Sequence, residues 1–347
     1  MDRLFNSQGM PLNIGGGSGG DSINEWLDED RLTICDLNGN VGAYIDSAGV
    51  HAINLSPNQW ANKVIATYGD SVTALNGGNF ERPYKAQAKT SKWGGKVAEY
   101  FSFKRIYNRG IGSTCFMYRQ DGGQIAWVNS QTGEYVNRND SYSYNNYLGN
   151  VSIPSGCTPI RGDGCSWLRL TSMFPESIKD TIDVVLVMYH NDFQQDMDTD
   201  AEWISGSNAD PEWAASSYYS AYNGDYNISC VKGGIASTVM KIQAWMPQAL
   251  IVLMTPISGV YINGNDNVMN LENNESAKMK KLAETVKNVS FRMSIPCIDV
   301  YGNDGINSIN KKRNNYITDG IHPYSDAGCK KIARAIISGL KSIVPNL

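Results

Sequence analysis

From about residue 63 to the end of the chain, short and almost wholly apolar runs alternate with helix-patterned stretches, and this rhythm constrains the fold more than anything else in the sequence. Val64–Tyr68, Ile182–Met188 (IDVVLVM) and Ala249–Met254 (ALIVLM) lack the polar alternation of a strand with one wet face. Arg105–Tyr107 and Ile295–Val300 read as shorter strands. Trp93–Phe103, Ile235–Trp245, Glu272–Val289 and Ser325–Ile343 read as helices, the second of them stopped by Pro247. Strands that are apolar on both faces must be covered on both, and parallel neighbours need crossover helices. The pattern therefore predicts an α/β fold, a three-layer α/β/α sandwich over residues 61–347.

Residues 1–60 follow other rules. The first twenty end in a Gly/Ser tract that reads as an arm or flexible linker. Its Gly16-Gly17-Ser18-Gly19-Gly20 formally matches G-x-S-x-G, but the preceding apolar strand and following helix that a nucleophile elbow needs are missing. Leu32–Leu37, Val41–Ile45 and Val50–Leu55 read as a β-meander, with Asn38-Gly39 as a hairpin signal. Three short strands bury little alone, so the meander is expected to pack on the main domain or to build a homo-oligomer. Two long stretches, 115–178 and 193–232, interrupt the strand–helix rhythm and are rich in Tyr and Trp, Trp127 and Trp167 among them. They read either as sugar-stacking platforms or as insertions packing their own small cores.

Composition narrows the function classes. A net charge of −4, with Lys311-Lys312-Arg313 the densest basic run, gives no electrostatic basis for binding nucleic acid. No apolar run reaches the ~20 residues that cross a bilayer, and the first residues lack a signal-peptide core. The expectation is a soluble protein with no membrane partner, cytoplasmic or carried in a virion. Seven scattered cysteines without a C-x-x-C pair read as free thiols, with Cys157 and Cys165 the one pair placed for a local bridge. Three scattered histidines make a zinc set unexpected, and no cofactor or metal is predicted. Of these, His51 and His190 read as structural.

In an open parallel sheet, ligands bind beyond the carboxyl ends of the strands. The segments placed there are Gly69-Asp70-Ser71, Asn108-Arg109-Gly110-Ile111-Gly112-Ser113, His190-Asn191-Asp192 and Asp319-Gly320-Ile321-His322-Pro323. Together they hold what acyl transfer needs. Ser71 is the candidate nucleophile, and its hydroxyl requires an adjacent base, for which His322 is the candidate. Asp319, three residues earlier, is placed to orient that imidazole. The Ser71 N–H, a backbone N–H near Gly112 and the Asn191 side-chain amide are the candidate oxyanion donors, each typically worth about 3 kcal/mol of barrier.

Taken in order, GDS, N-x-G, Asn-Asp and D-x-x-H-P resemble the motifs of the SGNH (GDSL-like) hydrolases, with DGIHPYSDAGCKKIARAI the most specific block. The resemblance covers about residues 60–347. It implies a flavodoxin-like sheet and metal-free hydrolysis of esters, often acetyl groups on sugars, through the Ser71–His322–Asp319 triad. Two positions depart from the family pattern. Tyr189 stands where the third block usually has glycine, a change expected to narrow the site or tilt the Asn191 loop. Ser113 stands where the second block often has its oxyanion glycine, so the backbone donor is Ser113 or, with a one-residue deletion, Gly112.

The predicted activity is a serine esterase acting on short acyl esters, O-acetyl groups of a carbohydrate foremost. The alternative from a different class is a polysaccharide-binding module or phage tail adhesin on a degenerate hydrolase fold. Asp36–Val41, running into Ile45-Asp46 and Gly49-Val50, resembles segments that precede enzymatic domains in phage tail proteins. A lipase or thioesterase fits less well, because the insertions are rich in Tyr, Asn and Ser rather than aliphatic residues.

Overall fold

The computed structural model describes residues 32–35, 41–46, 49–52, 58–74, 80–81, 92–112, 114–117, 125–133, 135–137, 155–161, 166–194, 230–258, 274–306, 316–317, 321–323 and 325–343. The chain divides into two units, Met1–Ala61 and Asn62–Leu347. In the first, Leu32–Cys35 (β1), Val41–Asp46 (β2) and Gly49–Ala52 (β3) form an antiparallel meander in the order β1-β2-β3. Leu32 pairs with Ile45 and Tyr44 with His51, and the register shifts between Ile34 and Cys35. The Asn38-Gly39 turn lies outside the described residues.

The second unit is built on Val64–Gly69 (β4), Phe80–Glu81 (β5), Arg105–Gly110 (β6), Val184–Met188 (β10), Leu250–Met254 (β11) and Cys297–Ile298 (β12). Between β6 and β10 lie three further strands, Ile125–Asn129 (β7), Tyr135–Asn137 (β8) and Cys157–Arg161 (β9). The main sheet runs β12-β11-β10-β4-β6-β5, parallel except for the edge pair β5/β6. Numbered along the chain, its five parallel strands have the spatial order 2-1-3-4-5, the flavodoxin-like doubly wound arrangement. The order reverses between β4 and β10, where crossovers leave to opposite sides and open a crevice.

Helices cover both faces. In chain order they are Ser71–Ala74 (α1), Trp93–Phe101 (α2), Ser166–Met173 (α3), Glu176–Lys179 (α4), Val231–Trp245 (α5), Asn274–Arg292 (α6), Val300–Asn303 (α7) and Asp326–Ser342 (α8). On one face Ala66 and Tyr68 of β4, Val185 and Val187 of β10 and Leu253 of β11 pack with Leu170, Ile235, Val239, Leu282 and Val286 from α3, α5 and α6. The alternate residues Ile65, Leu186 and Val252 are equally buried on the other face, served by α2 and α8. Those two helices pack together and are joined by the Lys96–Asp326 ion pair at 2.6 Å. Burying each such aliphatic side chain contributes roughly 1.5–3 kcal/mol. The three-layer sandwich expected from the sequence is the fold observed.

Two strand ends differ from the sequence reading. β6 runs on to Gly110 instead of stopping at Tyr107, because Tyr68 and Gly69 extend the ladder to Arg109 and Gly110. The last strand keeps only Cys297–Ile298, since Asp299 instead caps α7 by accepting the Gly302 N–H at 3.0 Å. Within the 115–178 insertion, β7, β8 and β9 make a second antiparallel sheet in the order β8-β7-β9. Trp127 and Val128 at its centre are buried, so this aromatic packs inward rather than offering a stacking surface. Residues 195–229 of the other insertion lie outside the described residues. Among the described residues no helix is long and apolar enough to cross a membrane. Cys157, Cys297 and Cys329 are free thiols, and Cys165 lies outside the described residues.

Candidate active site

β4 lies between β10 and β6, and glycines at the carboxyl ends of β4 and β6 allow unusually close backbone approach. A Cβ on Gly69 would sit 1.9 Å from the Met188 carbonyl oxygen of β10, and one on Gly110 would sit 2.1 Å from the Ala74 nitrogen. The chain can therefore turn at once from β4 into α1, whose first residue is Ser71. Three bonds fix this turn: Thr73 Oγ1 donates to Met188 O (3.1 Å), Trp93 Nε1 to Val72 O (3.0 Å) and Asn108 Nδ2 to Ala74 O (3.1 Å). Ser71 is half-buried at this turn.

His322 reaches the same point from the segment preceding α8. Its Nε2 lies 2.8 Å from Ser71 Oγ, across 251 residues of chain. The segment is held from below. Cys329 Sγ donates to Pro323 O at 3.0 Å, and Ser325 Oγ caps α8 by accepting the Gly328 N–H at 3.0 Å. Burial raises the Cys329 pKa, so its sulfur keeps the proton that it donates. Asp319, the predicted orienting carboxylate, lies outside the described residues, as does Ser113.

The candidate oxyanion donors lie on the turns after β4, β6 and β10. Asn191 opens a 3₁₀ turn (Asn191–Gln194) directly beyond β10, and its Nδ2 donates to Thr114 O at 3.3 Å, which leaves the second amide hydrogen for another acceptor. Gly112 is buried in the turn after β6. That turn is tied to β4 where the Ile111 N–H donates to Gly69 O at 2.9 Å. Tyr189 does not narrow the site. Its ring is fully buried on the core side, edge-on to Tyr68 and packed on Phe116, with its hydroxyl accepting from Arg169 at 3.3 Å. His190 is fully buried.

Two residues without an assigned role in the sequence reading organise these turns. Asp70 is fully buried: Oδ1 accepts the Val72 N–H (3.0 Å), and Oδ2 accepts those of His190 (2.5 Å) and Asn191 (2.8 Å). Burial pushes its pKa up to about 6, against the pull of those N–H groups and of the His322 charge. Asp192, also fully buried, accepts the N–H of Phe116 (2.8 Å) and of Met117 (3.1 Å). Burial raises it to about 7; its two N–H donors and Arg169 pull it down, and the neighbouring Asp70 charge pushes it further up. The only sequence signal for either was its place beside Ser71 or Asn191. Among the described residues no group of three or more His, Cys, Asp or Glu is placed to hold a metal ion.

A doubly wound sandwich with a serine and an imidazole paired at its switch point is thus the kind of molecule that this chain forms. Its architecture is similar to that of several solved structures at low sequence identity. A Lactobacillus plantarum protein is 17% identical, with 82% of this chain and 99% of that one covered and a TM-score of 0.49. The aryl esterase of M. smegmatis is 14% identical, with 81% and 100% covered and a TM-score of 0.43. A carbohydrate acetylesterase from Sinorhizobium meliloti is 12% identical, with 81% and 100% covered and a TM-score of 0.42. No family model and no curated protein matches the sequence.

Proposed function

We propose that this chain is a serine esterase of the SGNH type that removes short acyl groups, O-acetyl groups foremost, from a carbohydrate. The observation that carries the reading is the 2.8 Å separation of Ser71 Oγ and His322 Nε2 at the switch point of the sheet. His322 Nε2 takes the hydroxyl proton as Ser71 Oγ bonds to the ester carbonyl carbon. The Ser71 N–H, a backbone N–H at Gly112 or Ser113 and the Asn191 amide receive the developing oxyanion. The imidazolium returns the proton to the departing sugar alkoxide, leaving an acyl-serine. Water then attacks the acyl carbon, gives its proton to Nε2, and the acid leaves as Ser71 is restored. Asp319 fills the orienting role by accepting from Nδ1–H, which leaves Nε2 free to act as base. The acetyl and carbohydrate assignments rest on the likeness of the four motifs to those of the SGNH hydrolases.

Hydrolysis of p-nitrophenyl acetate tests the reaction. Ser71→Ala should lower kcat/KM at least about 10³-fold while leaving the fold intact. Full activity in that variant would remove the serine mechanism. A nitrophenyl ester series should peak at short chains, and acetate release from acetylated polysaccharides identifies the sugar; a peak at long chains would turn the reading towards a lipase.

A further inference from the structure

The reading of Ser71 and His322 needs three donors held at fixed spacing, yet they sit on three separate loops: after β4, after β6 and after β10. Hydrogen bonds within one loop cannot set distances between loops. Besides the Ile111 N–H bond to Gly69 O and the Asn191 Nδ2 bond to Thr114 O, a pair of buried carboxylates crosses from loop to loop. The Asp70 carboxylate takes one N–H from its own turn, at Val72, and two from the β10 loop, at His190 and Asn191. The Asp192 carboxylate takes the N–H groups of Phe116 and Met117, in the stretch that continues the Gly112 turn. Chained together, they link the Asp70–Val72 turn that carries Ser71 to Asn191, and the Asn191–Asp192 turn to the Phe116–Met117 stretch beyond Gly112. Resting on that esterase reading, we infer that Asp70 and Asp192 are positioning residues, a two-carboxylate brace that sets the spacing of the oxyanion donors.

Burying a carboxylate is costly, and a fully buried one persists when its oxygens are met by donors. Five backbone N–H groups meet these two. An asparagine in either place has nearly the same shape but only one acceptor oxygen, and its NH₂ group faces N–H donors that it cannot satisfy. Asp70→Asn therefore loosens the hold on the Val72 side or on the His190–Asn191 side while leaving the apolar packing alone. The consequence falls on the transition state, where a donor displaced by about 1 Å can cost about 10²-fold in rate.

The test uses the full chain and p-nitrophenyl acetate. Asp70→Asn and Asp192→Asn should each lower kcat about 10–100-fold with KM changed less than about threefold. Because Asp70 acts through Asn191, the Asp70→Asn/Asn191→Ala double variant should be within about threefold of Asn191→Ala alone. A merely structural aspartate would lower the amount of folded protein and would not produce that non-additivity. Wild-type kcat in both single variants, multiplicative losses in the double variant, or failure of both single variants to fold would each overturn the brace. Ser71→Ala separates the two levels. If it is inactive while Asp70→Asn is normal, only the brace fails; if it stays active, the esterase reading itself fails.

Discussion

At the scale of single residues, space matters as much as chemistry. Gly69 looks like the first letter of a GDS motif, but its contribution is the absence of a side chain. A methyl group there would lie 1.9 Å from Met188 O and 2.4 Å from Thr73 Oγ1, and the first of these is backbone in the next strand. Only separating β4 from β10 could relieve the clash, and that would carry Ser71 away from His322. Gly69→Ala should therefore destabilise the protein by about 1–3 kcal/mol or more and, on the proposed function, remove most p-nitrophenyl acetate hydrolysis together. Urea unfolding and p-nitrophenyl acetate hydrolysis measure the two effects; wild-type values for both would show that the close approach is not required.

At the scale of elements, the insertion after β6 is held on by a buried cation. Arg109 is fully buried, with Nε donating to Met173 O (2.7 Å), Nη1 to Asn108 O (3.0 Å) and Nη2 to Gly133 O (2.6 Å). One planar fork thus joins β6, the end of α3 and the β7–β8 turn. Lysine offers one compact ammonium and cannot reach three carbonyls in three directions. Arg109→Lys should lower stability by about 2–4 kcal/mol, because it leaves carbonyls and a charge poorly matched in the interior. A change within about 0.5 kcal/mol in a urea titration would contradict that role. Neither this anchor nor the small sheet was legible in the sequence. The five parallel strands were, since runs such as Val184–Met188 are buried at every position and state their environment directly. Ser71 and Asn191 were legible because each follows a strand that the apolar rhythm locates, and His322 because it precedes the closing helix. Arg109 was placed in a loop because a buried guanidinium satisfied by carbonyls looks, in a sequence, like a solvated one. Tyr189 misled for the opposite reason: its position beside Asn191 suggested the site, whereas side-chain direction along the end of β10 turned it into the core. Asp70 and Asp192 stood in plain view, but nothing in their spacing says which amides they would meet.

Across the whole molecule, buried carboxylates stitch together the loops at the carboxyl edge of the sheet. Asp304 repeats at β11 and β12 what Asp70 and Asp192 do at β4, β10 and β6. It accepts the Ser258 N–H (2.7 Å), the Ser258 hydroxyl (2.6 Å) and the Ile306 N–H (2.8 Å), and burial raises its pKa to about 6. This makes stability depend on pH in a defined direction. A carboxyl with an ordinary value of 3.8 unfolded and about 6 folded holds its proton more tightly in the native state. Between those values the native state binds more protons than the unfolded one, so this group's contribution to stability falls as pH rises through the window. Asp299 and Asp326 have lowered pKa values, and their contribution fades only as pH drops below the ordinary carboxylate range, outside that window. Asp304 takes its hydrogen bonds from Ser258 and Ile306, so comparison with Asp304→Asn isolates this group's effect. The stability difference between wild type and Asp304→Asn should shift against the wild type by about 1.4 kcal/mol between pH 5 and pH 7.5. Urea unfolding of both proteins across that range measures it. A difference that stays constant, or that moves in favour of the wild type with rising pH, would mean that the Asp304 carboxyl is ionised in the native state throughout.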